Sequence, residues 1–307
     1  MGPEHSEVKI RARLRSPSSV GWATVLTLAL SAAIAAQSSE YRSTQDAWRA
    51  DREARLVADD GWLTVAALHF LRPGENSFGA SPLSDLMLPE GPASAGVFEL
   101  RGGEVYVRAT EGRPLIVDGQ SVMAAQLYPS EGPRKDLTVG DLTMWVHNSG
   151  ERLAIRLRDT NSQIRKDFTG LKWFPVDERY RVRGRFIRHD EPITVSLPNI
   201  LGDIEQFTSH GSVVLTLNGE QAKMLPVASE SGERLWFIFR DLTSGSETYP
   251  AARFLYADLP DDDGWTTVDF NQAYNPPCAF NPHTTCPLPP EPNRLGVRVE
   301  AGEKNYH

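Results

Sequence analysis

The sequence predicts a mainly β protein, with an N-terminal helix, a β-sandwich, and a second antiparallel β-domain carrying a Pro-rich C-terminal loop. Three observations predict it. From Gly61 onward, short runs of β-branched and aromatic residues recur between Gly, Asp, Asn and Pro turns, as in a sandwich. The pairs Gly102-Gly103, Asp118-Gly119 and Asn218-Gly219 sit between such runs and read as two-residue hairpin turns. Residues 275–290 hold both cysteines and six prolines, which rules out helix and central strand there.

The 307 residues are enough for about two domains at roughly 150 residues each. An apolar content of 40% and a charged content of 23% are ordinary for a globular chain, so a buried core is expected. Four segments follow from the pattern. Residues 1–35 read as an export signal. Lys9, Arg11, Arg13 and Arg15 form its basic region, residues 25–36 its apolar run, and Ala33-Ile34-Ala35 its cleavage motif. The alternative is an uncleaved membrane anchor, but the run from 21 to 36 is short for a span of about 20 residues. Export makes the location periplasmic or secreted.

Residues 36–60 hold the helix, expected over 41–56 with Ser43 or Thr44 as cap. Trp48 and Leu56 share one face, while Arg49, Asp51, Arg52, Glu53 and Arg55 are expected in water. Residues 61–160 form the sandwich. Its strands include Trp62-Leu63-Thr64-Val65, Val105-Tyr106-Val107 and Leu153-Ala154-Ile155-Arg156-Leu157. Residues 161–307 form the second β-domain, with strands at 180–187, 213–217, 235–239, 253–257 and 266–270.

The formal charge is −8. Losing residues 1–35 removes four basic residues against Glu4 and Glu7, so the remainder is more acidic still. Such a chain repels phosphate backbones, and nucleic acid is excluded as a partner. A small molecule or a protein remains. No Gly-x-Ser-x-Gly elbow, Gly-rich phosphate loop or His-Glu-x-x-His motif is present, which disfavours triad, phosphoryl and hydride chemistry.

Residues 74–146 resemble the forkhead-associated (FHA) domain, a sandwich that reads phosphothreonine peptides. Phe78-Gly79, Asp85-Leu86-Met87-Leu88, Val97-Phe98, Val117-Asp118-Gly119 and Leu137-Thr138-Val139-Gly140-Asp141 carry the resemblance. The family's phosphate-binding arginine is Ala80 here. Its Ser-Arg-x-His segment falls on Pro92-Ala93-Ser94-Ala95. The resemblance therefore implies the scaffold without phosphothreonine recognition, which needs a cation and converging donors.

The chain beyond the export signal is similar to the DUF1684 family, whose function is unknown. Gly61-Trp62-Leu63-Thr64-Val65, Asp241-Leu242-Thr243-Ser244-Gly245, Tyr274-Asn275-Pro276-Pro277-Cys278-Ala279-Phe280 and Cys286-Pro287-Leu288-Pro289-Pro290 carry this similarity. So do Asn293-Arg294-Leu295 and Glu300-Ala301-Gly302-Glu303-Lys304. It implies kinship and no activity.

The C-terminal motifs gather the residues with chemical potential. Cys278 and Cys286 are expected as a disulfide in an exported protein. Two alternatives stay open: a zinc or copper site with His283, and two packed thiols. No cofactor is otherwise expected. Glu247, Asp269 and Glu303 are candidate catalytic carboxylates of a hydrolase, with or without a metal; their competing role is in structural ion pairs. Arg253, Asn271, Tyr274, Asn275 and Asn293 are candidate ligand-binding residues around the cysteine loop. Trp173, Phe174, Tyr249, Tyr256, Tyr274 and Phe280 are expected chiefly in the core, with a groove lining as the alternative. Together these features predict a non-catalytic binding or envelope-interaction module, with the hydrolase as alternative.

Overall fold

A computed structural model describes residues 19–229 and 231–307, with side chains from residue 37. The basic residues of the export signal lie outside the described residues. A single helix, Ser19–Val57, runs through the expected cleavage motif. No helix among the described residues is long and apolar enough to cross a membrane. The helix continues through Thr44, whose hydroxyl donates back to Glu40 O at 3.0 Å instead of capping a start. Residues 45–307 form one compact unit and are described from here on.

Within that unit the helix buries Gln45, Arg52 and Leu56. The spacing is helical, but most of the buried stripe is polar, contrary to the expectation that Arg52 faces water. Specific partners compensate its burial, as polar groups leaving water require. Gln45 Nε2 donates to Asp269 at 3.0 Å, Arg49 donates to Phe174 O at 2.9 Å, and Arg52 donates to Asn275 O at 3.0 Å. The expected first strand is instead a 3-10 turn, Trp62–Thr64, and the strand begins at Val65. Thr64 Oγ1 donates to Gly61 O at 2.7 Å and so holds the turn closed.

Residues 65–159 build a β-sandwich. One six-stranded sheet contains Val65–Phe70, Leu142–Ser149 and Arg152–Asp159. A five-stranded sheet contains Gly74–Gly79, Gly96–Arg101 and Glu104–Ala109. Both sheets contribute to one core, where Phe78, Phe98 and Val107 meet Leu137, Met144 and Leu157. The expected turns form at Gly102-Gly103, Asp118-Gly119 and Asn218-Gly219. All six residues have φ between 50° and 84°, the range that two-residue hairpins demand.

The second β-region pairs two long strands, Arg181–Pro198 and Ile204–Leu217, in a four-stranded sheet. A three-stranded sheet holds Arg234–Phe239 and Arg253–Asp258. Phe237, Phe239, Phe270, Val213 and Leu255 share its core with Val299 and Ala301. A polar clamp joins this region to the sandwich. Asp203 accepts from Arg152 and from Ser149, each at 2.7 Å, and Asn199 Nδ2 donates to Ser149 Oγ at 2.9 Å.

Candidate functional site

An open cleft of about 890 Å³ lies where helix, sandwich and second β-region meet. That is near the top of the usual range for small-molecule sites, roughly 300–1,000 Å³. Each wall follows from strand alternation. In the sandwich, Met144, Val146, Ile155 and Leu157 point into the core, so the intervening His147 and Arg156 point outward to the cleft. In the second region, Leu235 and Phe237 are core, and Trp236 faces the cleft with Phe254 and Tyr256.

The aromatic floor is continuous. Trp236 meets Phe254 edge-on at 5.0 Å and stacks on Tyr256 at 6.1 Å, and Tyr256 stacks on Tyr274 at 6.2 Å. Two cations cap it: Arg234 lies 5.1 Å over Tyr256 and Arg52 lies 4.8 Å over Tyr274. Such contacts hold guanidinium groups against ring faces. Of the aromatics named from sequence, Tyr256 and Tyr274 thus take the groove-lining role. Phe174 is core, while Trp173 packs edge-on to Trp48 at 5.7 Å. Phe280 is buried against Tyr306, and Tyr249 donates to Cys278 O at 3.1 Å.

Charge in the cleft is opposite to that of the chain. Arg52, Arg55, Arg156 and Arg234 line it, against the single carboxylate Asp60. Arg156 stands apart from the other three. It is 6% exposed, makes no hydrogen bond or ion pair among the described residues, and lies 5.4 Å over the Trp62 ring. Burial pulls its guanidinium down to about 10. Trp236 Nε1 is a second buried donor without a partner. Between these walls His147 Nε2 and Thr285 Oγ1 are 2.9 Å apart. Burial, followed by the charge of Arg156, lowers His147 to about 4, so it is neutral at neutral pH. The wall thus offers a positive charge beside aromatic faces. This combination suits a ligand with an anionic group and a flat or ring-shaped body.

The candidate carboxylates do not converge here. None of Glu247, Asp269 and Glu303 lines the cleft. Glu247 is paired with Arg298, which also binds Glu300. Asp269 accepts from Gln45 and from the Asn271 backbone and side chain. Glu303 is fully buried 3.5 Å from Arg52, and burial raises its carboxyl to about 7.

The candidate binding residues are mostly internal staples. Arg253 is fully buried and donates to Asp241 at 2.8 Å, to Val299 O at 3.0 Å and to Ala301 O. Asn293 donates to Leu225 O and Ile238 O and accepts from Leu225 N. Asn271 donates to Asp177 O and accepts from Asp177 N, and Asn275 donates to Lys304 O. Only Tyr274 of this group reaches the cleft.

Cys278 and Cys286 are free thiols, not the expected disulfide. They are neighbours nonetheless, with Cys278 N–H donating to Cys286 Sγ at 3.2 Å. Among the described residues no group of three or more His, Cys, Asp or Glu is arranged to hold a metal, so Cys278, His283 and Cys286 do not converge as ligands. Burial lowers His283 from its ordinary range.

Sequence reading missed Arg156, Trp236, His147 and Thr285. Arg156 carried the one usable signal, an arginine between core residues on a short alternating strand.

No curated protein matches the chain. The solution NMR structure of an uncharacterised protein from Haloarcula marismortui is 36% identical to it. That match covers 46% of this chain and 78% of the other, with a TM-score of 0.39. Residues 166–304 match the family described as protein of unknown function (DUF1684), the segment in which Asp241, Arg253 and Asn293 pin the C-terminal strands together and Glu303 meets Arg52 of the helix. Over this region the chain is similar to the DUF1684 family.

Proposed function

We propose that this protein is a non-catalytic binding module whose cleft takes a small anionic ligand with a ring-shaped body. One observation carries the reading: Arg156 is buried in the cleft wall and makes no hydrogen bond or ion pair among the described residues, with Glu205 and Cys286 acting on it only at a distance. An unpaired buried charge is unfavourable, and a ligand anion would supply the missing partner. The aromatic floor of Trp236, Tyr256 and Tyr274 would hold the body of that ligand by stacking. In this proposal the sandwich is an FHA-like scaffold without phosphothreonine recognition, because Ala80 stands where that chemistry needs arginine. Export to the periplasm or beyond is part of the same proposal, on the basic and apolar pattern of residues 1–35. A carboxylate-based hydrolase is the weaker reading, since Glu247, Asp269 and Glu303 each have a partner elsewhere.

The test is calorimetric titration with 4-nitrophenyl phosphate, 4-hydroxybenzoate and the less charged 4-nitrophenol. The charged probes are expected to bind saturably, and Arg156→Met to weaken them roughly tenfold or more, as for loss of a charge-assisted hydrogen bond. Equal affinity for charged and less charged probes, or for variant and wild type, would sink the reading.

A further inference from the structure

We propose that Cys278 and Cys286 form a redox-active dithiol, with Cys278 attacking small-molecule disulfides and Cys286 resolving the product. The geometry is asymmetric in the way such a pair needs. Cys278 is half-buried on a 3-10 turn, Pro277–Ala279, and Cys286 is the more buried of the two, with an edge on the cleft. The Cys278 N–H to Cys286 Sγ distance of 3.2 Å brings the second thiol up against the first residue. Access therefore selects Cys278 for the first step and proximity selects Cys286 for the second. The electrostatics run the same way. Contact with the Cys286 sulfur pulls Cys278 below the ordinary thiol range, and burial pushes Cys286 above it.

The step balances without a metal or a second protein. The Cys278 thiolate attacks one sulfur of a disulfide RS–SR, forms a mixed disulfide and expels RS⁻. The Cys286 thiolate then attacks the Cys278 sulfur, closes the Cys278–Cys286 bond and expels the second RS⁻. The two thiol protons end on two RSH. The protein is oxidised by two electrons and the small disulfide is reduced by two.

The same loop forms part of the cleft. Cys286 lines it, Thr285 meets His147, and Asn281 Nδ2 donates to Trp62 O at 2.8 Å. Closing the sulfur bond would pull on both contacts, so ligand affinity should depend on the redox state. That coupling rests on the proposed cleft ligand; the dithiol chemistry does not.

The experiment is intact-mass analysis of the native protein, reduced and then incubated with oxidised glutathione. Wild type is expected to lose two hydrogens and to recover them with reduced glutathione. Cys286→Ser should accumulate one glutathione adduct at Cys278, while Cys278→Ser should react at least tenfold more slowly. Melting curves of both variants establish that each is folded, and Cys286→Ala replaces the serine variant if it is not. Equal reaction of the two variants, no reaction of native wild type, or a bond that reduced glutathione cannot reopen would overturn the proposal. The last result would mark a structural staple. Failure of the cleft probes to bind leaves these outcomes unaffected.

Discussion

Arg253 Nη1 donates to Asp241 Oδ2 at 2.8 Å with both side chains out of solvent, and the same guanidinium reaches the carbonyls of Val299 and Ala301. Asp241 in turn accepts from Thr243 N at 2.7 Å and Val299 N at 3.1 Å. The pair therefore fastens the C-terminal segment to the strand Arg253–Asp258. Truncating one member leaves the other charge buried and alone. Asp241→Ala should lower unfolding free energy by about 3–5 kcal/mol in denaturant titration. A loss below about 1 kcal/mol would show that the pair is not the fastener.

Arg156 should behave in the opposite way. Its charge is buried without a hydrogen-bond partner and is offset only in part by the more distant Glu205, so Arg156→Met removes an unfavourable term while keeping apolar contact with Trp62. The melting temperature of the ligand-free variant should equal or exceed that of wild type. A clear fall would mean that the arginine holds the fold.

Two buried groups set opposing pH dependences. Glu303 rises from 4.5 to about 7, so its contribution to stability is complete below pH 4.5 and is lost as pH climbs to about 7. His147 falls from 6.5 to about 4, so its contribution is complete above pH 6.5 and is lost as pH drops to about 4. Between 4.5 and 6.5 the two slopes oppose. Glu303→Gln should remove a difference of about 3 kcal/mol and leave the His147 slope alone. Calorimetry across that window should then show stability rising with pH in the variant and nearly flat in wild type. A variant curve that falls with pH would contradict the assignment.

Asp269 tests the catalytic reading of the carboxylates directly. Its side chain receives Gln45 from the helix and caps the turn Phe270–Gln272 through Asn271 N at 3.1 Å. Asp269→Asn turns an acceptor into a donor against donors already in place. It should destabilise the protein by about 1–3 kcal/mol, read from denaturant midpoints. An unchanged midpoint would return Asp269 to the list of candidate catalytic groups.

These cases show what a sequence exposes and what it hides. Hairpins were legible because Asn218-Gly219 and Asp118-Gly119 encode positive φ locally. Strand runs were legible through alternation. The helix beginning at Ser19 was misjudged at Thr44 because a serine or threonine that could cap is read as if it must. Arg52 was assigned to water because helical periodicity reports which side is apolar, and here the docking side is polar. Arg156 faces outward from its own sandwich, so only the arrival of the second β-region buries it. Arg253 and Asn293 stand out by their position in dense motifs, but such motifs serve backbone satisfaction as readily as ligand binding. Gly302 shows the same constraint at the backbone. Its φ is +78°, and a Cβ there would lie 2.4 Å from Ala273 O.

The cleft is assembled from two stretches of the chain. The segment matching the family, residues 166–304, supplies Trp236, Tyr256, Tyr274 and Thr285. Arg52, Trp62, His147 and Arg156 come from the chain before it. The match thus covers the aromatic platform of the cleft and stops short of its buried arginine and histidine. A relative that shares the platform but pairs it with another upstream segment would inherit the surface and choose a different guest.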